Sequence, residues 1–187
     1  MEKQKVCLNI GCGKTYLKST KKEKWINLEV RKDIKADIHH DLDKFPYPFK
    51  DNTFDFILAS HILEHVDDIF KVLKEIKRIL KQDGTLKVET PYFSNAGAFG
   101  LTHKRCFYVN SFNVYPDIKL KKVRLKFQRF KSTAKYRGKI QNFLVSIINS
   151  IVNLNPRIYE RFFCHMLVCQ AIQYELQLLK DKESYIT

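Results

Sequence analysis

The sequence predicts an α/β domain on a largely parallel sheet, and three observations carry the prediction. Val6-Cys7-Leu8-Asn9-Ile10 is an apolar run that stops on Gly11-Cys12-Gly13, as a strand does when it ends in a tight ligand-facing loop. Thr53-Phe54-Asp55-Phe56-Ile57-Leu58-Ala59-Ser60 is the strongest central strand, mostly apolar in the way of strands buried on both faces of a parallel sheet. Between it and Thr85-Leu86-Lys87-Val88-Glu89-Thr90 lies a helical repeat, so strand, helix and strand alternate and right-handed crossovers follow.

Each element has a local reason. Gly11 and Gly13 permit positive φ and lack a Cβ, which lets the loop turn sharply with its amides facing a ligand. Only a short Lys-rich segment precedes the second strand, Trp25-Ile26-Asn27-Leu28-Glu29-Val30, and it leaves little room for a first helix. Glu29 closes that strand where a carboxylate can accept both hydroxyls of a ribose; the alternative is a solvated strand-end acid. Ala36-Asp37-Ile38-His39 reads as a short third strand, followed by Asp41-Leu42 and by Phe45-Pro46-Tyr47-Pro48-Phe49, stiff and extended through its prolines.

The helix after the central strand starts on a cap at Asp67 or Asp68. Ile69, Val72, Leu73, Ile76, Ile79 and Leu80 recur at three and four, with Lys71, Lys74, Lys77, Arg78 and Lys81 off that stripe and Asp83-Gly84 as its stop. Pro91 closes the fifth strand, and a long loop from Tyr92 to about Asp117 carries His103, Lys104 and Arg105, a length that marks a functional loop. Val123-Arg124-Leu125-Lys126-Phe127 alternates apolar and basic residues, as an edge strand does. Ile140, Phe143, Leu144, Ile147, Ile148, Ile151 and Val152 form an amphipathic helix expected to lay its apolar face on the sheet. Ala171 to Leu178 reads as a last strand, with helix as the alternative.

With 187 residues and 44% hydrophobic content, the chain reads as one domain with a full core. No apolar stretch approaches the roughly 20 residues that span a bilayer, and the charged N-terminus lacks a signal peptide's apolar run, so a soluble cytoplasmic protein is expected. Cys7, Cys12, Cys106, Cys164 and Cys169 form no Cys-x-x-Cys pair, which predicts reduced thiols and no structural zinc. A formal charge of +14, densest from Lys119 to Lys139, admits nucleic acid or another polyanion as partner; a generally Lys-rich composition is the preferred explanation, because the excess is spread over much of the chain. Lys135, Arg137 and Lys139 just ahead of the amphipathic helix would also suit peripheral contact with anionic lipid. Oligomeric state is left open.

Leu8-Asn9-Ile10-Gly11-Cys12-Gly13, Glu29, Asp41-Leu42, Phe54-Asp55 and Leu63-Glu64-His65-Val66 together resemble the class I S-adenosylmethionine-dependent methyltransferases, in particular the small methyltransferase-domain, type 11-like group. The resemblance implies a Rossmann-like, seven-stranded, mostly parallel sheet with helices on both faces and the last strand antiparallel beside the fifth. It implies S-adenosylmethionine as cofactor, residues 1–91 as its binding half and 92–187 as the acceptor side. Carried over, Gly11, Cys12 and Gly13 pass under the methionine part, Glu29 holds the ribose, Asp41 and Leu42 border the adenine, and Ser60 and His61 line the crevice beneath the sulfonium. Asn9, counted with the cofactor-binding residues, stands where many members have Asp and can still accept a hydrogen bond; Lys14 and Thr15 replace the last glycine of the usual loop.

Methyl transfer needs alignment and, for an oxygen or nitrogen nucleophile, a base near neutrality; His103 is the expected base and His61 the second candidate. The expected reaction is methylation of O or N on a small molecule or saccharide precursor, without an obligatory metal. His61, Glu64, His65 and His103 make an alternative metal set, because a Glu-x-x-Glu-His stretch at this place resembles the divalent-metal site of ubiquinone-type O-methyltransferases and of small-RNA 2′-O-methyltransferases. His in place of the first carboxylate favours a borderline metal over Mg²⁺. The rival functions are an RNA methyltransferase and a basic binding module that keeps the fold without turnover.

Overall fold

Why the chain forms one sheet is visible in its strand pairing. In the computed structural model, which describes residues 3–127 and 137–179, seven strands are hydrogen-bonded in the order β3-β2-β1-β4-β5-β7-β6. They are β1 (Lys5–Ile10), β2 (Glu23–Glu29), β3 (Ile38–His39), β4 (Phe54–Ser60), β5 (Leu80–Pro91), β6 (Ile118–Lys126) and β7 (Ala171–Leu178). Strands β1 to β5 pair in parallel, and β7 runs antiparallel between β5 and β6. The order reverses between β1 and β4, which opens a crevice at their C-terminal ends. The helices are α1 (Ile69–Ile79), α2 (Arg137–Val152) and α3 (Pro156–Phe162).

Apolar runs explain the core. Leu8, Ile10, Leu28, Ile57 and Ala59 from the strands and Val72, Ile76 and Ile79 from α1 are buried in one cluster. Asp68 caps α1 by accepting from the amides of Phe70 and Lys71. The proline loop is held by Arg78, which donates to the Tyr47 and Phe49 carbonyls and to Glu75 and Asp51, while the Tyr47 hydroxyl donates to the Leu42 carbonyl.

Several expectations change. The helix stops at Ile79, ahead of Asp83-Gly84, because Leu80 already turns extended and pairs with Phe54; Asp83 and Gly84 lie within the irregular start of β5. β4 is buried on one face only, Ile57 and Ala59 alternating with half-buried Phe56 and Leu58. Its partner strand β1 is joined to β2 by a helix-free segment that cannot cover a face completely. Residues 171–178 are a strand, and β6 is the sheet edge.

The largest difference concerns α2. Its apolar face turns outward, with Phe143 65% and Ile151 62% exposed, because its polar side docks. Asn153 both accepts from the Leu125 amide and donates to the Leu125 carbonyl, and Asn149 accepts from the Phe127 amide, so two amide side chains satisfy the β6 edge in place of another strand. Lys135 lies outside the described residues, as do the side chains of Arg137, Lys139 and Ile140.

Candidate functional site

The crevice end of β1 is shaped by two glycines in the left-handed region, Gly11 at φ 61° and Gly13 at φ 51°. A Cβ on Gly11 would sit 2.4 Å from Ile62 Cγ1, so that position admits no side chain; the space in front of Gly13 is open. The loop is pinned from below. Asn9, buried, donates to the Thr15 carbonyl and to Asn27 Oδ1, and Asn27 in turn bonds Leu17 and Asp37. Tyr16 and Asn27 both donate to Asp37, whose carboxyl lies below the usual range: although burial opposes this, hydrogen bonds from Tyr16 and Asn27 outweigh it. Asn9 is therefore a brace beneath the loop.

Glu29, 7% exposed, is also tied to the loop. Its Oε2 accepts from the Gly13 amide at 2.8 Å and its Oε1 from the amides of Val30 and Arg31. Cys12 is buried, its amide donates to the Leu28 carbonyl, and burial raises its thiol pKa. Asp41 accepts from the Asp43 amide in a turn, and Leu42 lies in the core behind it.

At the end of β4, Ser60 is half-buried and His61 adopts φ 53°, its amide donating to the Glu89 carbonyl. This turn directs the imidazole between two carboxylates, Nδ1 3.5 Å from Glu64 and Nε2 3.8 Å from Glu89. Glu64 first and Glu89 second push the His61 pKa up to about 9, so at neutral pH it donates rather than abstracts a proton. Glu89, held down to about 2 chiefly by His61, also accepts from Lys126 and Gln173. His61 and Glu89 line a cavity of about 680 Å³ whose other walls include Gln170, Gln173, Ser146 and Ser150.

A second cluster adjoins this one. Glu64 is buried, and a ligand atom of each of Glu64, His65 and His103 lies within 4.8 Å of the others. The long loop after β5 folds back to make it: Lys104 donates its amide to the Glu64 carbonyl, and the Arg105 guanidinium grips the carbonyls of Leu63, Val66 and Asp67. His103 packs edge-on against His65 at 4.6 Å between ring centroids and does not line the cavity beside His61.

Of the four residues in the alternative metal set, three converge, and His61 stands beyond the Glu64 carboxylate. Sequence reasoning missed Asn27, Asp37, Glu89 and Arg105. Asn27 had a readable signal, a polar residue inside an apolar strand; Arg105 had none, since its acceptors lie some forty residues upstream in the turn after β4.

Residues 8–88 match the methyltransferase-domain family. The chain is 58% identical over 41 residues to an uncharacterised protein of Methanocaldococcus jannaschii, a stretch that covers 22% of this chain and 18% of that one. It is 31% identical over 96 residues to the human mitochondrial arginine-hydroxylase NDUFAF5, covering 42% of this chain and 26% of that protein. It thus spans about a quarter or less of the length of these curated relatives. A crystal structure of a methyltransferase dependent on S-adenosylmethionine from Archaeoglobus fulgidus superposes with a TM-score of 0.59 at 16% identity, over 93% of this chain and 86% of the other, and shares its fold.

Proposed function

We propose, from the match of residues 8–88 to the methyltransferase-domain family, that the protein transfers a methyl group from S-adenosylmethionine to an oxygen or nitrogen of a small polar molecule or saccharide precursor in the cytoplasm. The observation that carries the acceptor class is the cavity of about 680 Å³ at the C-terminal ends of β4 and β5. Its amides, hydroxyls and single carboxylate, with His61 and the cations Arg124 and Lys126, suit a polar, hydroxylated molecule better than an apolar one, because each buried hydroxyl needs a partner.

S-adenosylmethionine, when bound, supplies a methyl group already activated on a sulfonium, which leaves alignment and exclusion of water to the chain. Its residues fit that cofactor: the open space before Gly13 accommodates the methionine part over Gly11 and Cys12, and a Cβ there would be strained. Glu29 uses three of the roughly four acceptor positions of a carboxylate on backbone amides and keeps one for a ribose hydroxyl. Asp41 and Leu42 would border the adenine, and Ser60 and His61 the sulfonium. In the cavity, Glu89 accepts from an acceptor hydroxyl, and His61 donates to it.

Calorimetric titration with S-adenosylmethionine and S-adenosylhomocysteine tests the cofactor half. Glu29→Gln should weaken binding by about 1–3 kcal/mol, and no binding of the unaltered protein at millimolar ligand overturns the reading. Transfer of labelled methyl to a panel of sugars and amines tests the acceptor half. The second reading, an RNA methyltransferase, draws on the exposed cations Lys119, Lys121, Lys122 and Arg124 along the β6 edge. It expects label in RNA and an affinity that falls linearly with salt on logarithmic axes. Cofactor binding without transfer to any acceptor would favour the non-catalytic module.

A further inference from the structure

We propose that Glu64, His65 and His103 bind a divalent first-row transition-metal ion. The first observation is the carboxylate. Glu64 is 1% exposed and neither of its oxygens has a hydrogen-bond partner; His61 Nδ1 at 3.5 Å is within ion-pair range but outside hydrogen-bond geometry. The His61 imidazolium thus faces one side of this buried carboxylate without hydrogen-bonding it, and the lone pairs on its other side stay open to a further cation.

The second observation is the state of the two imidazoles. His65 Nδ1 lies 3.1 Å from the Thr102 carbonyl, and His103 Nδ1 lies 3.2 Å from the Ala98 carbonyl. A carbonyl only accepts, so each ring donates from Nδ1, and Nε2 is the nitrogen left to face an ion. Histidines that ligate metals are oriented in this way, by a carbonyl on the nitrogen away from the ion.

The third is distance. Ligand atoms of all three residues fall within 4.8 Å of one another. Two ligands at about 2.1 Å from one ion are at most about 4.2 Å apart, so small side-chain rotations close the site. The framework is held independently of any ion, by the Lys104 amide on the Glu64 carbonyl and by Arg105 on three carbonyls of the same turn.

One carboxylate and two imidazoles suit a borderline ion such as Zn²⁺, Fe²⁺ or Co²⁺ and disfavour Mg²⁺ and Ca²⁺, which take oxygen ligands. Three protein ligands leave a coordination position open to solvent or to an acceptor hydroxyl. A ligand role for His103 replaces the base role expected of it, and the site stands whether or not the protein transfers methyl groups.

The test uses the full chain, stripped with a chelator and titrated with Co²⁺ while visible absorption is followed, and with Zn²⁺ by calorimetry. The expected result is one ion per chain and a ligand-field band of a four- or five-coordinate site. Glu64→Gln and His103→Ala should each weaken binding at least a hundredfold, whereas His165→Ala, at an exposed histidine remote from the cluster in sequence, should leave it unchanged. Circular dichroism and melting of the metal-free variants establish that they fold. Glu64→Gln should melt no lower than the unaltered protein without metal and should lose the rise in melting temperature that Zn²⁺ confers. Absence of the cobalt band and of binding heat in the unaltered protein, or binding that survives both ligand substitutions, overturns the proposal.

Discussion

Gly11 and Gly13 have nearly the same backbone conformation but different surroundings, and alanine at each should separate two energies. At φ 61° and φ 51° both positions carry the left-handed cost for a side chain, about 1–2 kcal/mol. At Gly13 nothing lies within 4 Å of the added Cβ, so that cost is the whole effect. At Gly11 the Cβ would meet Ile62 Cγ1 at 2.4 Å, Cδ1 at 2.6 Å and Cβ at 2.9 Å. Overpacking of this kind adds about 1–3 kcal/mol, which makes Gly11→Ala worth about 2–5 kcal/mol against about 1–2 for Gly13→Ala. Ile62→Ala removes the two closest atoms. Urea denaturation of the two single variants and the double variant should show a favourable coupling of about 1–2 kcal/mol between Gly11→Ala and Ile62→Ala. Equal losses at the two glycines, or zero coupling, would refute the steric argument and with it the view that the turn after β4 seals the underside of the loop.

Three other perturbations read other parts of the structure. Arg78→Ala removes the guanidinium that bridges Glu75 to the Tyr47 and Phe49 carbonyls and should cost about 2–3 kcal/mol at pH 7 by chemical denaturation. Arg78 holds the Glu75 carboxyl below its ordinary value. The pair's contribution is therefore complete above the unfolded value of about 4.3 and fades as pH falls through the folded one; a deficit in Arg78→Ala that does not shrink below about pH 4 would refute the pairing. Arg105→Ala should accelerate amide exchange of residues 102–105 and lower Co²⁺ affinity, since its three carbonyl contacts hold the loop that carries His103; unchanged exchange contradicts the clamp. Asn153→Ala strips both backbone partners from buried Leu125 and should destabilise by about 2–3 kcal/mol. A loss below about 0.5 kcal/mol would mean that α2 is held by other contacts.

The sequence by itself determined what local pattern can encode. Apolar runs bounded by glycine, proline and acidic caps placed β1, β4, β5 and α1, and the alternation in 123–127 marked an edge strand. The sequence also placed Glu29 at a strand end, as a ribose acceptor or a solvated acid; that it is buried and bonds the Gly13 amide was decided by the packing of β2 beside the glycine loop. Tertiary structure decided everything that depends on segments distant in sequence. An amphipathic helix declares its apolar face but not which face will find a partner; Asn149 on α2 and Asn153 just past its end found the open β6 edge, and the apolar residues were left outside. His61 read as a free imidazole until Glu89, brought alongside by β5, joined Glu64 in holding its proton. Glu64, His65 and His103 became one cluster only because Arg105 and Lys104 fold the loop after β5 onto the turn after β4, where carbonyl acceptors, which every residue possesses, leave no trace in the sequence.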